Sequence, residues 1–318
     1  MSAPTLSVTT NNKSFKLVNA TNVFFLLLLV ILFLPIKTMQ DQYTVSTHVL
    51  IFIAVLEVLF LLIAIFNKKE KSFITAKSII GTIFFVLLIW TLLTAKFNVL
   101  EESLFPSPEN VFRQLIRDKR LLGDVLSSLK TLSIGYFSAL FLGIFLGSLA
   151  GMSKTLSTSL TYITTFLKLI PPIVYIPYAI ALLPKYGMVS VFVIFMSAFW
   201  PIFSATFAGV ANVDKQYLNS ASVLNVGFFS RLWNVILPAS LSEIFIGCNQ
   251  AMAYAFILLT SAEMIGGSEG IGYYIKYYSN FGDFTRIIVG ILVIGITISI
   301  ITVLLSKFQS YLLRWKPK

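Results

Sequence analysis

Residues 47–66 read THVLIFIAVLEVLFLLIAIF, an apolar run in which His48 and Glu57 are the only ionisable side chains. About 20 apolar residues in a helix span the hydrocarbon core of a bilayer, where all backbone hydrogen bonds must be satisfied within the segment. The run lacks the alternation of polar and apolar residues that a membrane β-strand shows. It therefore predicts a transmembrane helix.

Similar runs recur along the chain. Apolar stretches of spanning length lie near residues 20–37, 47–66, 76–95, 124–152, 160–183, 187–211, 236–263 and 285–313. We therefore predict an all-α, polytopic protein with about eight transmembrane helices. Residues 1–19, which are rich in Ser, Thr and Asn, are predicted to form a flexible cytoplasmic tail before a retained signal anchor.

The composition supports a lipid environment. The chain is 57% hydrophobic and only 12% charged, whereas a soluble domain is about a quarter charged. The net charge of +11 comes from short basic clusters between apolar runs, a pattern that favours contact with anionic lipid over nucleic-acid binding. With one cysteine, Cys248, and one histidine, His48, neither a disulfide framework nor a zinc or haem site can form.

Basic residues also predict the orientation in the cell membrane. Lysines cluster in residues 67–77 and at the C-terminal end, which places both termini in the cytoplasm. A further basic stretch at 108–122 would then lie outside, and its helical spacing of apolar residues predicts an amphipathic helix on the outer face. Glu57 within its span indicates either a functional carboxylate or a polar neighbouring helix.

The segment Phe105-Pro106-Ser107-Pro108 stops one helix and opens another. We take it as the boundary between a three-helix N-terminal membrane region, residues 20–103, and a five-helix core, residues 104–318. The paired carboxylates Glu101 and Glu102 precede this boundary without a nearby nucleophile or histidine, so we expect them to be solvated rather than catalytic.

The connection at residues 213–238 is too long for a simple loop. Asp214 is placed to cap a short helix, and Asn225 and Gly227, which tolerate left-handed backbone conformations, are placed to end it. The apolar face of this helix comprises Tyr217, Leu218, Ala221 and Leu224. A second short helix, with Phe229, Leu232 and Trp233, is expected before Pro238. Together the two helices predict a compact cytoplasmic knob.

This segment resembles the cytoplasmic loop of permeases of ATP-binding-cassette (ABC) importers. The family pattern is Glu-Ala-Ala, three residues, Gly, nine residues, Ile, one residue and Leu-Pro; here Asn219-Ser220-Ala221 begins it and Leu237-Pro238 ends it. Asn219 replaces the glutamate and removes a charge that the family often uses at its ATPase contact. Asn225 replaces the glycine, and asparagine still permits the positive φ of the bend.

The resemblance extends from about Leu104 to Ser310 and is to the nitrate, sulfonate and taurine branch of these permeases. Its further elements, in order, are Phe105-Pro106-Ser107-Pro108, Ser127-Ser128-Leu129, Gly135, Gly143, Gly147, Gly151, Ile170-Pro171-Pro172, Pro177, Phe199-Trp200-Pro201, Ala262-Glu263-Met264 and Gly270-Ile271-Gly272. The resemblance implies a type I importer core, and the additional N-terminal helices depart from it.

The resemblance also implies partners: a second permease copy forming a homodimer or pseudo-dimer, ABC ATPase subunits, and an external substrate-binding protein. The chain contains no Gly-x-x-x-x-Gly-Lys-Ser/Thr phosphate loop. We therefore expect that it binds no cofactor, has no ATPase site of its own and relies on ATP bound by a partner subunit.

Two sets of site residues follow. Docking to the ATPase is predicted for Tyr217, Asn219, Ser220, Ala221, Ser222, Leu224, Asn225, Gly227, Phe228 and Phe229. The substrate pathway or gate is predicted to involve Pro171, Pro172, Asn249, Gln250 and Glu263. The prolines are compatible with a hinge or with a structural kink, and Glu263 with a gate residue or a hydrogen-bond acceptor.

The predicted function is import of a small solute through alternating access, driven by the separate ATPase. Two alternatives are a secondary transporter and a non-transporting membrane scaffold. The first is disfavoured because the chain shows neither paired intramembrane carboxylates nor an inverted repeat.

Overall fold

A computed structural model describes residues 20–34, 47–66, 70–97 and 99–315, and all its regular elements are helical. The helices are α1 (Ala20–Phe33), α2 (Thr47–Phe66), α3 (Glu70–Trp90), α4 (Pro108–Arg117), α5 (Lys119–Gly151), α6 (Lys154–Leu169), α7 (Tyr175–Leu182), α8 (Tyr186–Ala211), α9 (Lys215–Val223), α10 (Phe228–Arg231), α11 (Leu237–Gly266), α12 (Ile271–Asn280) and α13 (Phe284–Leu312). The predicted all-α, polytopic architecture is confirmed. The predicted tail, residues 1–19, lies outside the described residues.

The predicted count of about eight spans is not confirmed. Within the described ranges, six helical segments are long and apolar enough to cross a membrane: Thr47–Phe66, Ser72–Lys96, Lys119–Gly151, Tyr186–Ala211, Phe228–Gly266 and Phe284–Leu312. Ser159–Leu167 and Pro172–Leu182 make a seventh if this pair, bent by 66°, is one span. Within the described residues α1 covers 14 residues, fewer than a helix needs to cross the hydrocarbon core, and the residues just before it lie outside the described part.

Contacts between residues divide the chain into two compact units. The first comprises the chain up to Arg117 together with Phe284–Val289, and the second comprises Asp118–Asp283 together with Gly290–Lys318. This structural division falls after α4, whereas the proline-rich element placed the predicted domain boundary at residue 104.

In the first unit, α1, α2 and α3 pack around a cluster of buried side chains: Leu28, Leu32, Val49, Ile53, Phe60, Phe73, Ile80, Phe84 and Leu87. Glu57 is also buried, and among the described residues its Oε2 has no hydrogen-bond partner. The structure therefore shows no hydrogen-bond partner for this oxygen within the unit's described part.

Helix α4 is fastened to the start of α2. The Glu109 Oε1 atom lies 2.6 Å from His48 Nδ1, and Glu109 Oε2 accepts a hydrogen bond from the Val49 amide at 3.3 Å. The amphipathic helix predicted for residues 108–122 ends earlier than expected, at Arg117. Asp118 starts α5 instead, because its Oδ1 accepts a hydrogen bond from the Arg120 amide and so caps the helix.

The second unit is built on α5, α8 and α11. Their facing side chains form its largest buried cluster: Leu132, Tyr136, Ala139, Ile194, Ala198, Ile202, Ile244, Cys248, Ala251, Met252, Ala255, Phe256 and Leu259. The Tyr136 hydroxyl donates to the Cys248 carbonyl at 3.0 Å, which links α5 to α11. Cys248 is a buried free cysteine, as expected for a packing residue.

Glycines bring α5 and α8 into backbone contact. A Cβ atom at Gly147 would lie 2.7 Å from the Phe203 carbonyl oxygen, and one at Gly151 would lie 2.7 Å from the Phe207 carbonyl oxygen. Such separations leave no room for a methyl group. The spacing of four residues puts these glycines on one face of α5, and small residues at that spacing allow close packing of membrane helices.

We expect Gly147→Ala to destabilise the protein by about 1–3 kcal/mol, because the new methyl group would force α5 and α8 apart. The matched control is Gly123→Ala in the same helix, where a Cβ meets nothing within 4 Å. Thermal unfolding of purified protein in detergent measures the difference. Equal melting temperatures for the two variants would contradict the close-packing account.

Candidate functional site

The knob predicted between two spans is present in the second unit. We use the name knob for residues 214–236, which follow α8. Asp214 Oδ1 accepts a hydrogen bond from the Gln216 amide at 2.9 Å and thereby caps α9, as predicted.

Asn225 ends α9. Its φ of 52° makes it the only non-glycine residue with positive φ in the described parts of the chain. The Val226 amide donates to the Ala221 carbonyl and the Asn225 amide to the Ser222 carbonyl, which together form a Schellman motif. The prediction for Asn225 is confirmed. That for Gly227 is wrong, because Gly227 has φ −60° and precedes α10 in an extended conformation.

The second half of the knob differs from the predicted separate helix. Helix α10 passes through a π-helical turn, Leu232–Ile236, directly into α11, so that Phe228–Gly266 is one continuous helical segment. Pro238 lies at the start of α11, where the wider turn accommodates a residue without an amide hydrogen. The knob is thus a direct extension of α11.

The inner side of the knob is packed against its base. Leu232 and Ile236 form a buried cluster with Val210 and Val213 at the end of α8. The Arg231 Nη2 atom donates to the Leu218 carbonyl at 3.2 Å and so holds α9 against α10. These contacts fix α9 and α10 on the ends of α8 and α11.

The outer side of the knob is apolar and exposed. Its large exposed side chains are Tyr217, Val223, Leu224, Phe228, Phe229 and Trp233. Val223 is 86% and Phe229 is 74% exposed, and the Phe228 and Phe229 rings meet edge to face. Four of the six were predicted as docking residues, whereas sequence reasoning missed Val223 and Trp233.

The polar docking candidates lie on the same knob. Asn219, Ser220 and Ser222 are exposed, and the two serine hydroxyls donate to carbonyls one turn earlier in α9. Ala221, which the sequence also placed at the docking surface, is only 4% exposed. Its place is therefore inside the knob, where it supports the surface without forming part of it.

The predicted pathway residues do not form one cluster. Pro171 and Pro172 lie at the break between α6 and α7, where Pro172–Val174 makes a short 3-10 turn. Pro171 is exposed and Pro172 is half-buried. The Asn249 side-chain amide donates to Gln309 Oε1 at 3.1 Å, so it links α11 to α13, whereas Gln250 is exposed.

Glu263 is buried at the end of α11 that lies away from the knob. Its Oε1 accepts a hydrogen bond from the Ser128 hydroxyl at 2.7 Å, and its Oε2 accepts one from the Gly272 amide at 2.8 Å. The Ile271 amide donates in turn to the Ser128 hydroxyl at 2.9 Å. Both carboxylate oxygens therefore join α5, α11 and α12, which favours the hydrogen-bond acceptor over the gate residue.

A second network lies beside Glu263. Asp124 accepts hydrogen bonds from the Gly270 amide at 3.1 Å and from Arg120 Nε at 3.2 Å. The Arg120 guanidinium group lies over the Tyr273 and Tyr277 rings, 5.4 and 5.0 Å from their centroids. Cation–π contacts of this kind add to the ion pair and fix the start of α5 against α12.

One face of α11 stays exposed along the helix. It carries Glu243, Ile246, Gln250, Tyr254 and Ile257, spaced by three or four residues. The exposed side chains of α5 between positions 141 and 149 are all apolar: Phe141, Leu142, Phe145, Leu146 and Leu149. The apolar face of α5 is suited to contact with lipid. The Gln250 amide and the Glu243 carboxylate on α11 instead indicate a polar neighbour or a water-filled space.

Within the described residues, no group of three or more His, Cys, Asp or Glu side chains is arranged to hold a metal ion. The site thus consists of two parts of the second unit, an apolar knob and a mixed polar face on the helix that continues from it.

Comparisons with known proteins match much of the chain to one protein family. Residues 139–316, more than half of the chain, match the family described as binding-protein-dependent transport system inner membrane component. The nitrate import permease protein NrtB of Leptolyngbya laminosa is 33% identical over 67% of this chain and 79% of its own length. The bicarbonate transport system permease protein CmpB of Synechococcus elongatus is 32% identical over 62% and 70%.

A third relative is the putative aliphatic sulfonates transport permease protein SsuC of Bacillus subtilis, 26% identical over 73% of this chain and 84% of its own length. The matched family region contains the knob and the whole of α8 and α11. The chain therefore belongs to the family of inner membrane components of binding-protein-dependent transport systems, as an ABC-type permease.

Proposed function

We propose that this permease imports a small oxoanion and that its knob couples it to a separate ATPase subunit. The observation that carries the proposal is the exposed apolar surface on a knob that continues into α11. The three relatives reported above are named for nitrate, bicarbonate and sulfonate transport, and these solutes are all oxoanions. An external binding protein would deliver the anion.

Docking of the ATPase would bury the aromatic side chains of the knob. Exposed apolar side chains clustered on one element are a common mark of a protein interface, and aromatic residues contribute most to such interfaces. Phe228, Phe229 and Trp233 provide three of them within six residues. The sparse charge of the knob leaves apolar contact as the main source of binding energy.

The route from the knob to the membrane would be α11. Closure of the ATPase dimer on ATP would displace the knob, and the continuous segment Phe228–Gly266 would carry that displacement into the bundle. The packing of Leu232 against Val210 would pass it to α8 as well. We propose that this movement alternates the access of the pathway between the two sides of the membrane.

A second copy of the chain would cover the exposed face of α11. In a two-fold dimer the same face meets itself, and Gln250 from both copies would then face a shared polar path. The carboxylate of Glu243, nearer the knob, would lie on that face as well. This arrangement would give the polar side chains on α11 a hydrated surrounding in place of lipid.

The knob would lie in the cytoplasm, where the ATPase is. The ends of α5 and α8 nearest the knob would then lie at the cytoplasmic surface, and Glu263 would lie at the outer one. Both termini are proposed to be cytoplasmic; residues 1–19 and 316–318 are outside the described part of the chain.

Transport should require ATP and should not follow an ion gradient. In proteoliposomes containing the permease, its ATPase and its binding protein, we expect nitrate, bicarbonate or a sulfonate to be taken up only with ATP on the ATPase side. Vanadate should abolish uptake and a protonophore should leave it unchanged. Uptake that persists with vanadate and collapses with the protonophore would support the secondary transporter instead.

Phe229→Ala should weaken binding of the ATPase roughly 30-fold, because truncating a central aromatic side chain of an interface costs about 2 kcal/mol. The matched control is Phe281→Ala, since Phe281 is 70% exposed at the end of α12, away from the knob. Co-purification and affinity measurements with the co-expressed ATPase compare the two variants. If both bind as the unaltered permease does, Phe229 is not part of the docking surface.

Gln250→Cys should form a disulfide-linked dimer in membranes, because the proposed two-fold axis brings the two Gln250 positions together. Cys248→Ala provides the background without the native thiol. The control is Phe141→Cys, since Phe141 is 72% exposed on the apolar face of α5. Non-reducing gel electrophoresis after oxidation should show a dimer for the first variant alone. Equal crosslinking at both positions would show that α11 is not the dimer face.

A further inference from the structure

A large groove opens between α5 and α8 at the end of the second unit that lies away from the knob. Its volume is about 890 Å³. Most of the wall surface is apolar, and the two helices contribute to it Ile134, Met188, Phe192 and Phe195. Two lysines, Lys130 of α5 and Lys185 just before α8, also line it. The groove is therefore amphipathic.

The two lysines lie at neighbouring levels. Gly143 packs against Ile202 and Gly151 against Val210, so the difference in residue number between facing positions is constant along these two parallel helices. The same offset places Lys130 beside Val189, four residues, or about 6 Å, from Lys185 along the axis. Both side chains are exposed, and neither forms an ion pair within the described residues.

Two carboxylates, Glu263 and Glu269, also line the groove, and both accept hydrogen bonds. Glu269 accepts a hydrogen bond from the Ser127 hydroxyl at 3.1 Å, and both oxygens of Glu263 are bonded to Ser128 and Gly272. Neither carboxylate forms an ion pair with Lys130 or Lys185 among the described residues, so both ammonium groups can bind an anion that enters the groove.

The positions of the lysines along the helix axes match the level of a membrane surface. Helix α5 runs 21 residues from Lys130 to Gly151, which is about 31 Å and close to the thickness of the hydrocarbon core. If the knob end of α5 lies at one surface, Lys130 lies at the other, and Lys185 lies among the headgroups beyond it. The apolar wall then lies at the depth of the acyl chains.

We propose that this groove binds an anionic phospholipid, with the phosphate between Lys130 and Lys185 and the acyl chains along Ile134, Phe192 and Phe195. The groove is far larger than a small inorganic anion, and its mostly apolar wall has no counterpart in such an anion. A phospholipid matches both the paired positive charge at the surface and the apolar depth below it. The proposal does not depend on the transported solute.

The test is thermal unfolding of the full-length protein in mixed micelles with phosphatidylglycerol or phosphatidylcholine. The buried Cys248 thiol reports unfolding through a thiol-reactive dye. Phosphatidylglycerol should raise the melting temperature and phosphatidylcholine should not. In K130Q/K185Q the phosphatidylglycerol needed for half of that rise should increase by roughly 20- to 30-fold, since a lysine near an anionic surface contributes about fivefold in affinity.

Three controls make the result decisive. Lys276→Gln removes an exposed lysine of α12 outside the groove and should keep the full response. K130R/K185R keeps the charge and should also respond, which separates lost charge from misfolding. Glycerol 1-phosphate carries the anion without the chains and should leave the melting temperature unchanged.

Three results would overturn the proposal. One is an equal response of the unaltered protein and K130Q/K185Q to phosphatidylglycerol, whether both melting temperatures rise or neither does. Another is an equal loss of response in K276Q, which would indicate a diffuse surface charge. The third is a rise in melting temperature with glycerol 1-phosphate equal to the rise with phosphatidylglycerol, which would make the groove a site for a soluble anion.

Discussion

The backbone contact between α5 and α8 is the constraint on which the rest of the second unit depends. Because Gly147 and Gly151 have no side chain, the carbonyl oxygens of Phe203 and Phe207 approach α5 closely enough to fix one register. A shift of α5 by one turn in either direction would bring Ala139 to the position of Gly143 or Gly135, where a Cβ atom would lie 2.9 Å from Ile202 or 2.7 Å from Ile194. The end of α8, which supports the knob, is therefore held at a fixed height relative to α5.

The fixed end of α8 determines where the knob lies. Val210 and Val213 contribute the base on which Leu232 and Ile236 pack, so the π-helical turn sits directly over the α5–α8 contact. A π turn widens the helix and tolerates Pro238, which an uninterrupted α-helix would resist. The result is an element that is rigid toward α11 and anchored sideways on α8. Such an element has the mechanical properties that transmission of a displacement requires.

Local patterns predicted much of this architecture. The length of the apolar runs predicted the spans, and the side-chain chemistry of Asp214 and Asn225 predicted the start and the end of α9. Each of these features depends on interactions within a few residues. The predicted span at 20–37, in contrast, is described only for residues 20–34, of which α1 covers 14.

Features that depend on distant residues were not accessible from the sequence. The two partners of Glu263 come from different helices, and one of them, Ser128, is 135 residues away, so a gate and an acceptor were equally consistent with the motif. Ala221 was assigned to the docking surface although the sequence placed it on the same apolar face of α9 as Tyr217, Leu218 and Leu224. Only the packing of Leu218 and Ala221 toward the base shows which side remains exposed.

The replacement of the family's glutamate by Asn219 removes a charge from the knob and so affects how a partner would recognise it. The knob carries few charged side chains, and they are of both signs: Asp214, Lys215 and Arg231. Long-range charge attraction then contributes little to recognition, and the affinity of the proposed docking depends on shape and apolar contact. A partner fitted to this knob would need an apolar groove for Phe228, Phe229 and Trp233, and it would discriminate poorly by charge. Selectivity among related ATPases would follow from the bend at Asn225, which sets the angle between α9 and α10.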